Sequence, residues 1–170
     1  MHMKAYDANC PVAAAGKAKE LGWGVCTPVR LEIKTGNDLR LVKTGMSVSS
    51  LNGDWLRQAC RKGVLIDPLN VLKFEKDEGL VRAVAETDSV FELPLKPLLH
   101  SFGRKRAQLL SAYEKFFTLC QKRKAKVAFT SQSQTPFDVK SPREAVAIWQ
   151  QVGLARDQAT RIMEQEVRFA

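Results

Sequence analysis

The sequence predicts an α/β fold, an abbreviated (β/α) barrel of the TIM type with about seven strands. Short apolar runs alternate with stretches of helical periodicity, and this alternation is typical of parallel strands covered by helices. The chain has no linker, low-complexity tract or internal repeat, so residues 1–170 are interpreted as one barrel domain. A typical barrel needs ~200 residues or more, so some helices are expected to be missing. An open doubly wound sheet is the alternative.

The N-terminal half supplies five of the predicted strands and two helices. The strands are short runs of apolar or alternating residues: 3–7, 23–29, 29–34, 39–43 and 64–66. The last of these is continuously apolar, as expected for a strand buried on both faces. The helices cover 11–21, ended by Gly22, and 50–62, with Asn52 or Asp54 as N-cap and Gly63 as terminator. The tight turn at Gly36 and Asn37 is where one helix is expected to have been deleted.

The C-terminal half is richer in helices. Strands are predicted at 90–93 and 127–129, and helices at 77–86, 103–124, 141–152 and 155–166. The helix over 103–124 is the clearest, because its apolar residues recur at helical spacing. We expect this stripe to pack on the strands; it consists of Leu109, Leu110, Tyr113, Phe116, Phe117 and Cys120.

Positive charge is concentrated in one segment. The net charge is +9, and residues 104–126 alone contain eight Lys or Arg against one Glu. Such a concentration is the electrostatic footprint of a protein that binds a polyanion, although a solvated helix face has the same composition.

Membrane and secreted classes do not fit the sequence. No apolar run approaches the ~18 residues of a membrane span, and no signal-peptide core is present. The four cysteines stand far apart without a C-x-x-C pair, which favours reduced thiols over a disulfide frame or zinc site. We therefore expect a cytoplasmic protein without a membrane partner. Residues 1–2 are expected to be a remnant of cloning.

The candidate binding residues are cations at helix ends. Arg104, Lys105 and Arg106 open the helix over 103–124, where the helix dipole disfavours positive charge. A second cluster closes this helix about 27 Å away, and a third group surrounds the start of the next helix; these residues are Lys122, Arg123, Lys124, Lys140 and Arg143. Helix stability does not explain the cations at the two helix starts, so we expect them to contact phosphates.

Catalytic interpretations are weaker. The chain has two histidines and neither an H-x-H nor an H-E-x-x-H motif, so no catalytic residue and no metal site are predicted. Asp7, Asp67 and Glu92 lie in or at the ends of predicted strands and would form an acidic centre if these ends met at a barrel mouth. Strand-end carboxylates also commonly cap the following helix.

Several segments together resemble the archaeal ribonuclease P protein component 3 family, related to the thirty-kilodalton subunit of the eukaryotic enzyme. The resemblance covers residues 88–154. It is carried by Phe91-Glu92-Leu93-Pro94, the basic start of the long helix, Val127-Ala128-Phe129-Thr130-Ser131, and Pro136-Phe137-Asp138-Val139-Lys140-Ser141-Pro142-Arg143-Glu144.

The resemblance implies a β/α barrel akin to metal-dependent phosphoesterases but without their metal site. It implies a subunit of ribonuclease P, an endoribonuclease whose RNA performs the 5′ maturation of precursor tRNA. The implied partners are ribonuclease P RNA, ribonuclease P protein component 2 and, indirectly, precursor tRNA. No cofactor is expected on this chain, and Mg²⁺ is expected to serve the RNA. The residues carried over as RNA or partner contacts are the basic residues in 103–106 and 141–143.

Two other classes remain open from the sequence. One is a small metal-dependent phosphoesterase that uses Asp7, Asp67 and Glu92, which metal content and intrinsic phosphoester hydrolysis would identify. The other is a protein-interaction scaffold whose basic helix meets an acidic partner, and RNA binding at physiological salt would argue against it.

Overall fold

The computed structural model of the chain describes residues 5–7, 10, 12–25, 27–133 and 135–165. Its elements follow in the order β1 (Ala5–Asp7), α1 (Val12–Glu20), β2 (Trp23–Val25), β3 (Arg30–Glu32), β4 (Ser47–Ser49), α2 (Gly53–Ala59), β5 (Leu65–Asp67), α3 (Glu78–Ala85), β6 (Val90–Pro94), α4 (Lys96–Leu99), α5 (Gly103–Arg123), β7 (Val127–Thr130), α6 (Pro142–Gln151) and α7 (Arg156–Glu164). The predicted starts at Met3 and Pro11 lie outside the described residues.

The described chain divides into two compact units. One consists of the described residues up to 27, 94–114 and 128–165, and the other of residues 28–93 and 115–127. The helix α5 contributes its first half to the former unit and its second half to the latter. We call them the terminal unit and the central unit. The single-domain interpretation of residues 1–170 stays a prediction.

The central unit is built on parallel strands. β3 pairs with β4, β4 with β5, and β5 with β6, all in parallel register, which gives the order β3-β4-β5-β6. The amide of Phe91 in β6 donates to the carbonyl of Lys126 at 2.9 Å, just before β7. These strands, separated in sequence by α2 and α3, confirm the predicted α/β class.

The terminal unit contains a second parallel pair, β1 with β2. Gly22 has φ +93° between α1 and β2, a left-handed conformation that favours glycine and ends the helix as predicted. The indole Nε1 of Trp23 donates to the carbonyl of Lys140 at 2.8 Å. Trp149 of α6 stacks on Phe129 of β7 with ring centroids 3.9 Å apart, so aromatic packing joins a strand to its following helix.

Four of the six residues of the predicted apolar stripe of α5 are buried. Tyr113, Phe116 and Cys120 have no exposed surface and Phe117 is 7% exposed, whereas Leu109 and Leu110 are half-buried. In the terminal unit the Tyr113 hydroxyl donates to the carbonyl of Pro94 at 2.9 Å. This buried stripe fixes the face of α5 that meets the strands, and therefore the faces on which its basic residues lie.

The predicted strand at 39–43 is wrong. Residues Asp38–Arg40 form a 3-10 turn, because the Asp38 carboxylate accepts hydrogen bonds from the amides of Lys34 and Thr35 at 2.9 and 2.8 Å. The neighbouring strand is β4, which the sequence analysis missed because serines flank its single valine. Ser47 is nevertheless buried, since its hydroxyl donates to the Glu92 carboxylate at 2.8 Å.

The crossover between β3 and β4 agrees with the expected deletion. Residues 33–46 connect these two parallel strands and include the turn at Gly36 and Asn37. Parallel pairs are usually joined through an α-helix, but this crossover contains only the 3-10 turn. The barrel-type repeat is therefore shortened where the sequence predicts it.

The described thiols are structural. Cys10, Cys60 and Cys120 are all buried. Burial raises the pKa of the Cys60 thiol and of the Cys120 thiol to about 12 in each case. Both of these side chains are therefore protonated at neutral pH and serve as small apolar groups in the core.

Candidate nucleic-acid interface

The first basic cluster lies at the start of α5, in the terminal unit. Gly103 begins the helix with φ +53°, and Arg104 and Lys105 are exposed. The described part of the chain supplies no ion pair to either side chain, and the first turn contains no acidic residue. Because the helix dipole disfavours cations at this end, these two charges have no local stabilising role and are available to a partner.

Arg106 differs from its two neighbours. It is half-buried, and its Nη2 donates to the side-chain oxygen of Gln151 at 3.4 Å. Gln151 is the last residue of α6. Arg106 therefore has a structural contact in addition to any role in binding.

The second group of cations surrounds the start of α6. Ser141 is the N-cap, Pro142 occupies the first helical position and Glu144 completes a capping box. Arg143 is exposed between them and has no ion pair among the described residues. The cap orders this helix start without Arg143, so the guanidinium is free to contact a ligand.

The capping box also lowers the pKa of Glu144 below its ordinary value of 4.5, chiefly because the backbone amide of Ser141 donates to its carboxylate at 2.8 Å. A lowered folded-state pKa stabilises the protein above the unfolded-state pKa, and this stabilisation is lost as the pH falls through the folded value. We expect Glu144→Gln to cost about 0.3 to 1 kcal/mol at neutral pH, measured by urea unfolding. The difference from the wild type should shrink steadily in acid.

Glu164 is the matched control for this prediction, since it is an exposed carboxylate at the C-terminal end of α7. Negative charge is unfavourable at that helix end, so Glu164→Gln should not destabilise the protein at neutral pH. A cost for Glu144→Gln that stays constant from neutral to acidic pH would contradict the capping account.

A side-chain contact joins the segments that precede the two helix starts. The Nε2 atom of His100, at the end of α4, lies 3.3 Å from Oδ1 of Asp138. The Thr135 hydroxyl donates to Asp138 Oδ2 at 3.0 Å and is the main cause that lowers the pKa of Asp138, with the charge of His100 contributing less. The loops that lead into α5 and α6 are thus in contact.

The cations are not all gathered at one point. Arg106 contacts Gln151 at the end of α6, whereas Arg143 lies in the first turn of the same helix. Eight residues at 1.5 Å per residue place these two positions about 12 Å apart along α6. A partner that contacts both must therefore extend over about 12 Å along α6.

The cluster that closes α5 lies in the central unit, and some of the cations in and beside it form ion pairs within the protein. Lys122 and Lys124 are exposed, whereas Arg123 forms an ion pair with Glu78 at the start of α3. Lys126, just beyond, lies 3.4 Å from Asp88. Cations at a helix C-terminus are also favoured by the dipole. The structure therefore gives this cluster a local role that the helix starts lack.

Two of the three residues of the predicted acidic centre line one cavity of the central unit. Asp67 and Glu92 surround a space of about 130 Å³ together with Arg30, Leu31, Glu32, Ser47 and Ser49. Glu92 is fully buried and accepts the hydrogen bond from Ser47 described above. The side chain of Asp7 is outside the described residues. Across the described ranges, no group of three or more His, Cys, Asp or Glu is placed to hold a metal ion.

Two exposed aromatic side chains were not among the site residues predicted from the sequence. Phe102 is 79% exposed directly before the first cluster, and Phe137 is 92% exposed on the 3-10 turn Pro136–Asp138. Their positions in the sequence could have indicated them, because each phenylalanine lies outside the apolar periodicity and within a few residues of the basic groups. In the portion of the chain that is described, no helix is long and apolar enough to cross a membrane.

These features define a basic α/β protein whose two ordered helix starts present cations suited to a polyanion. Residues 48–169 match the family described as RNase P subunit p30, and the chain belongs to this family. The match begins well before residues 88–154, which carry the motifs named above.

Individual relatives agree with this assignment. The chain is 32% identical over 108 residues to ribonuclease P protein component 3 of Methanosarcina barkeri, covering 61% of this chain and 45% of that protein. It is 30% identical over 123 residues to the protein of that name from Methanosarcina acetivorans, covering 69% and 52%. The chain thus spans about half the length of the curated relatives it matches.

The fold is also similar to a solved one. A chain of the cryo-EM structure of archaeal ribonuclease P with mature tRNA superposes with a TM-score of 0.69 over 94% of this chain and 76% of that chain. The sequence identity is 17%, so this likeness concerns the fold. It confirms the predicted fold class.

Proposed function

We propose that this chain is a protein subunit of ribonuclease P that supports the catalytic RNA in the 5′ maturation of precursor tRNA. The observation that carries the proposal is the family match over residues 48–169. The exposed cations of Arg104, Lys105 and Arg143, which form no ion pair within the described ranges, support it. Phosphate contacts of such cations provide a large share of the affinity in protein–nucleic acid complexes.

In this proposal the chain supplies no catalytic residue. The RNA and its Mg²⁺ perform the hydrolysis, and the protein neutralises phosphates and stabilises the active RNA conformation. Its partners are ribonuclease P RNA, ribonuclease P protein component 2 and, through the RNA, precursor tRNA. The site of action is the cytoplasm.

Reconstitution tests this function. Ribonuclease P RNA and the remaining protein subunits are assembled with and without this chain, and release of the 5′ leader from precursor tRNA is measured at limiting Mg²⁺. We expect the chain to increase the cleavage rate and to lower the Mg²⁺ concentration required. Equal rates with and without the chain would contradict the proposal.

A separate assay tests the phosphoesterase alternative, for which the cavity lined by Asp67 and Glu92 is the candidate site. The chain alone is incubated with Mn²⁺ and a generic aryl phosphodiester. Hydrolysis that is abolished by Glu92→Gln would support an enzyme and argue against a purely accessory role. We expect no turnover.

A further inference from the structure

We propose that Phe102 and Phe137 form an aromatic platform on which unpaired bases of an RNA strand stack, while the neighbouring cations hold its phosphates. The inference rests on the proposed RNA partner and specifies which part of that RNA is bound. Single exposed apolar side chains are common on proteins. This pair is distinguished by its support and by the charge around it.

Both rings are presented by ordered segments. Phe137 is the middle residue of a 3-10 turn in which the amide of Asp138 donates to the carbonyl of Thr135 at 3.1 Å, and the Thr135 hydroxyl reinforces the turn. The carbonyl of Phe102 accepts a hydrogen bond from the amide of Arg106 at 3.4 Å, and the preceding Ser101 is buried. Neither ring depends on binding to hold its backbone in place.

The two segments are held against each other. His100, two residues before Phe102, contacts Asp138, the residue directly after Phe137. Each ring therefore originates within two residues of this contact, and both belong to the same region of the terminal unit.

The charge around the two rings indicates which ligand binds there. Arg104 lies two residues after Phe102, and Lys140 lies three residues after Phe137. Exposed aromatic rings interleaved with Arg and Lys are typical of sites for single-stranded nucleic acid, because every base has a face that stacks on a ring. A duplex hides these faces. The chemistry therefore points to a loop, bulge or strand end of the RNA.

The test measures binding of the full chain to two probes, a single-stranded oligouridine and a fully paired, blunt-ended RNA duplex of equal charge. We expect Phe102→Leu and Phe137→Leu each to weaken oligouridine binding by about 5- to 30-fold. Leucine keeps the apolar volume but lacks a ring, so the loss isolates stacking. Phe102→Tyr and Phe137→Tyr should bind like the wild type, and duplex binding should not change.

Two controls separate stacking from other causes. Leu51→Ala removes an apolar side chain that is 77% exposed and has no Lys or Arg within three positions in the sequence, so it should leave both affinities unchanged. In Phe137→Trp, stacking should quench the new indole fluorescence when oligouridine binds. The log–log salt dependence of the leucine variants should match that of the wild type, because the phosphate contacts remain.

Wild-type oligouridine affinity in both leucine variants would overturn the platform, as would equal losses for the duplex. If the leucine variants bind RNA normally but no longer bind the protein subunits of ribonuclease P, the two rings form a protein contact. This result would also overturn the aromatic platform. These outcomes are separable from the proposed function. A chain that stimulates reconstituted ribonuclease P but does not bind oligouridine refutes the platform alone, whereas the reverse result refutes the subunit role alone.

Discussion

Replacing Phe116 by alanine is expected to lower the free energy of unfolding by about 3 to 5 kcal/mol. The Phe116 side chain has no exposed surface and lies on α5, within the central unit. Its ring packs edge-on against Phe91 of β6 and against Phe74, with centroid separations of 4.9 and 5.2 Å. Truncation removes both aromatic contacts and leaves a cavity that close-packed neighbours fill only in part.

Urea unfolding monitored by circular dichroism measures this change, and Phe102→Ala is the matched control. The same atoms are deleted, but Phe102 is 79% exposed and no aromatic contact to it is found among the described residues. Its removal should change the free energy of unfolding by less than about 0.5 kcal/mol. Similar costs for the two variants would mean that the apolar face of α5 is not part of the core.

The second large effect concerns RNA affinity. Arg104→Ala and Arg143→Ala should each flatten the slope of log affinity against log salt concentration by about 0.7 to 0.9 for every phosphate that the side chain neutralises. Both guanidinium groups are exposed at helix starts and have no ion pair within the described ranges. Arg106→Ala should have the smallest effect of the three substitutions, because its side chain is half-buried against Gln151.

Binding of ribonuclease P RNA over a range of salt concentrations provides these slopes. Arg40→Ala is the control, since Arg40 is an exposed arginine outside the basic clusters and its removal changes the net charge equally. All four variants should keep wild-type thermal unfolding. If the slopes of Arg104→Ala and Arg143→Ala equal that of Arg40→Ala, the cations at the helix starts are solvated charge without a binding role.

Long elements with a clear period were predictable from the sequence. The helix predicted at 103–124 is Gly103–Arg123, and four of the six residues of its predicted apolar stripe are buried. The three-residue strands were harder, because a period of two cannot be recognised over three positions. Ser47–Ser49 is hydrophilic at both ends, and its burial depends on Glu92, 45 residues away. Local sequence contains no signal for such a contact.

The candidate site was predictable in part for a related reason. Cations at helix starts conflict with the dipole wherever the helix lies in the fold, so Arg104 and Arg143 stand out in the sequence alone. The partners of the other cations cannot be recognised from the sequence. Arg123 is paired with Glu78 across 45 residues, and Arg106 reaches the end of α6. The two exposed phenylalanines could be recognised only from the structure, because the sequence does not show that their side chains are exposed.

Recovery of the RNA that is bound to this chain tests whether the chain acts on RNA as a ribonuclease P subunit. The tagged chain is expressed in its native host, cross-linked and purified, and the RNA that accompanies it is sequenced. An Arg104→Ala/Arg143→Ala double variant at equal expression is the reference. We predict that ribonuclease P RNA and precursor tRNA are strongly enriched with the wild-type chain and depleted with the variant. Enrichment of total RNA without preference for ribonuclease P RNA, at equal levels for both proteins, would contradict the account.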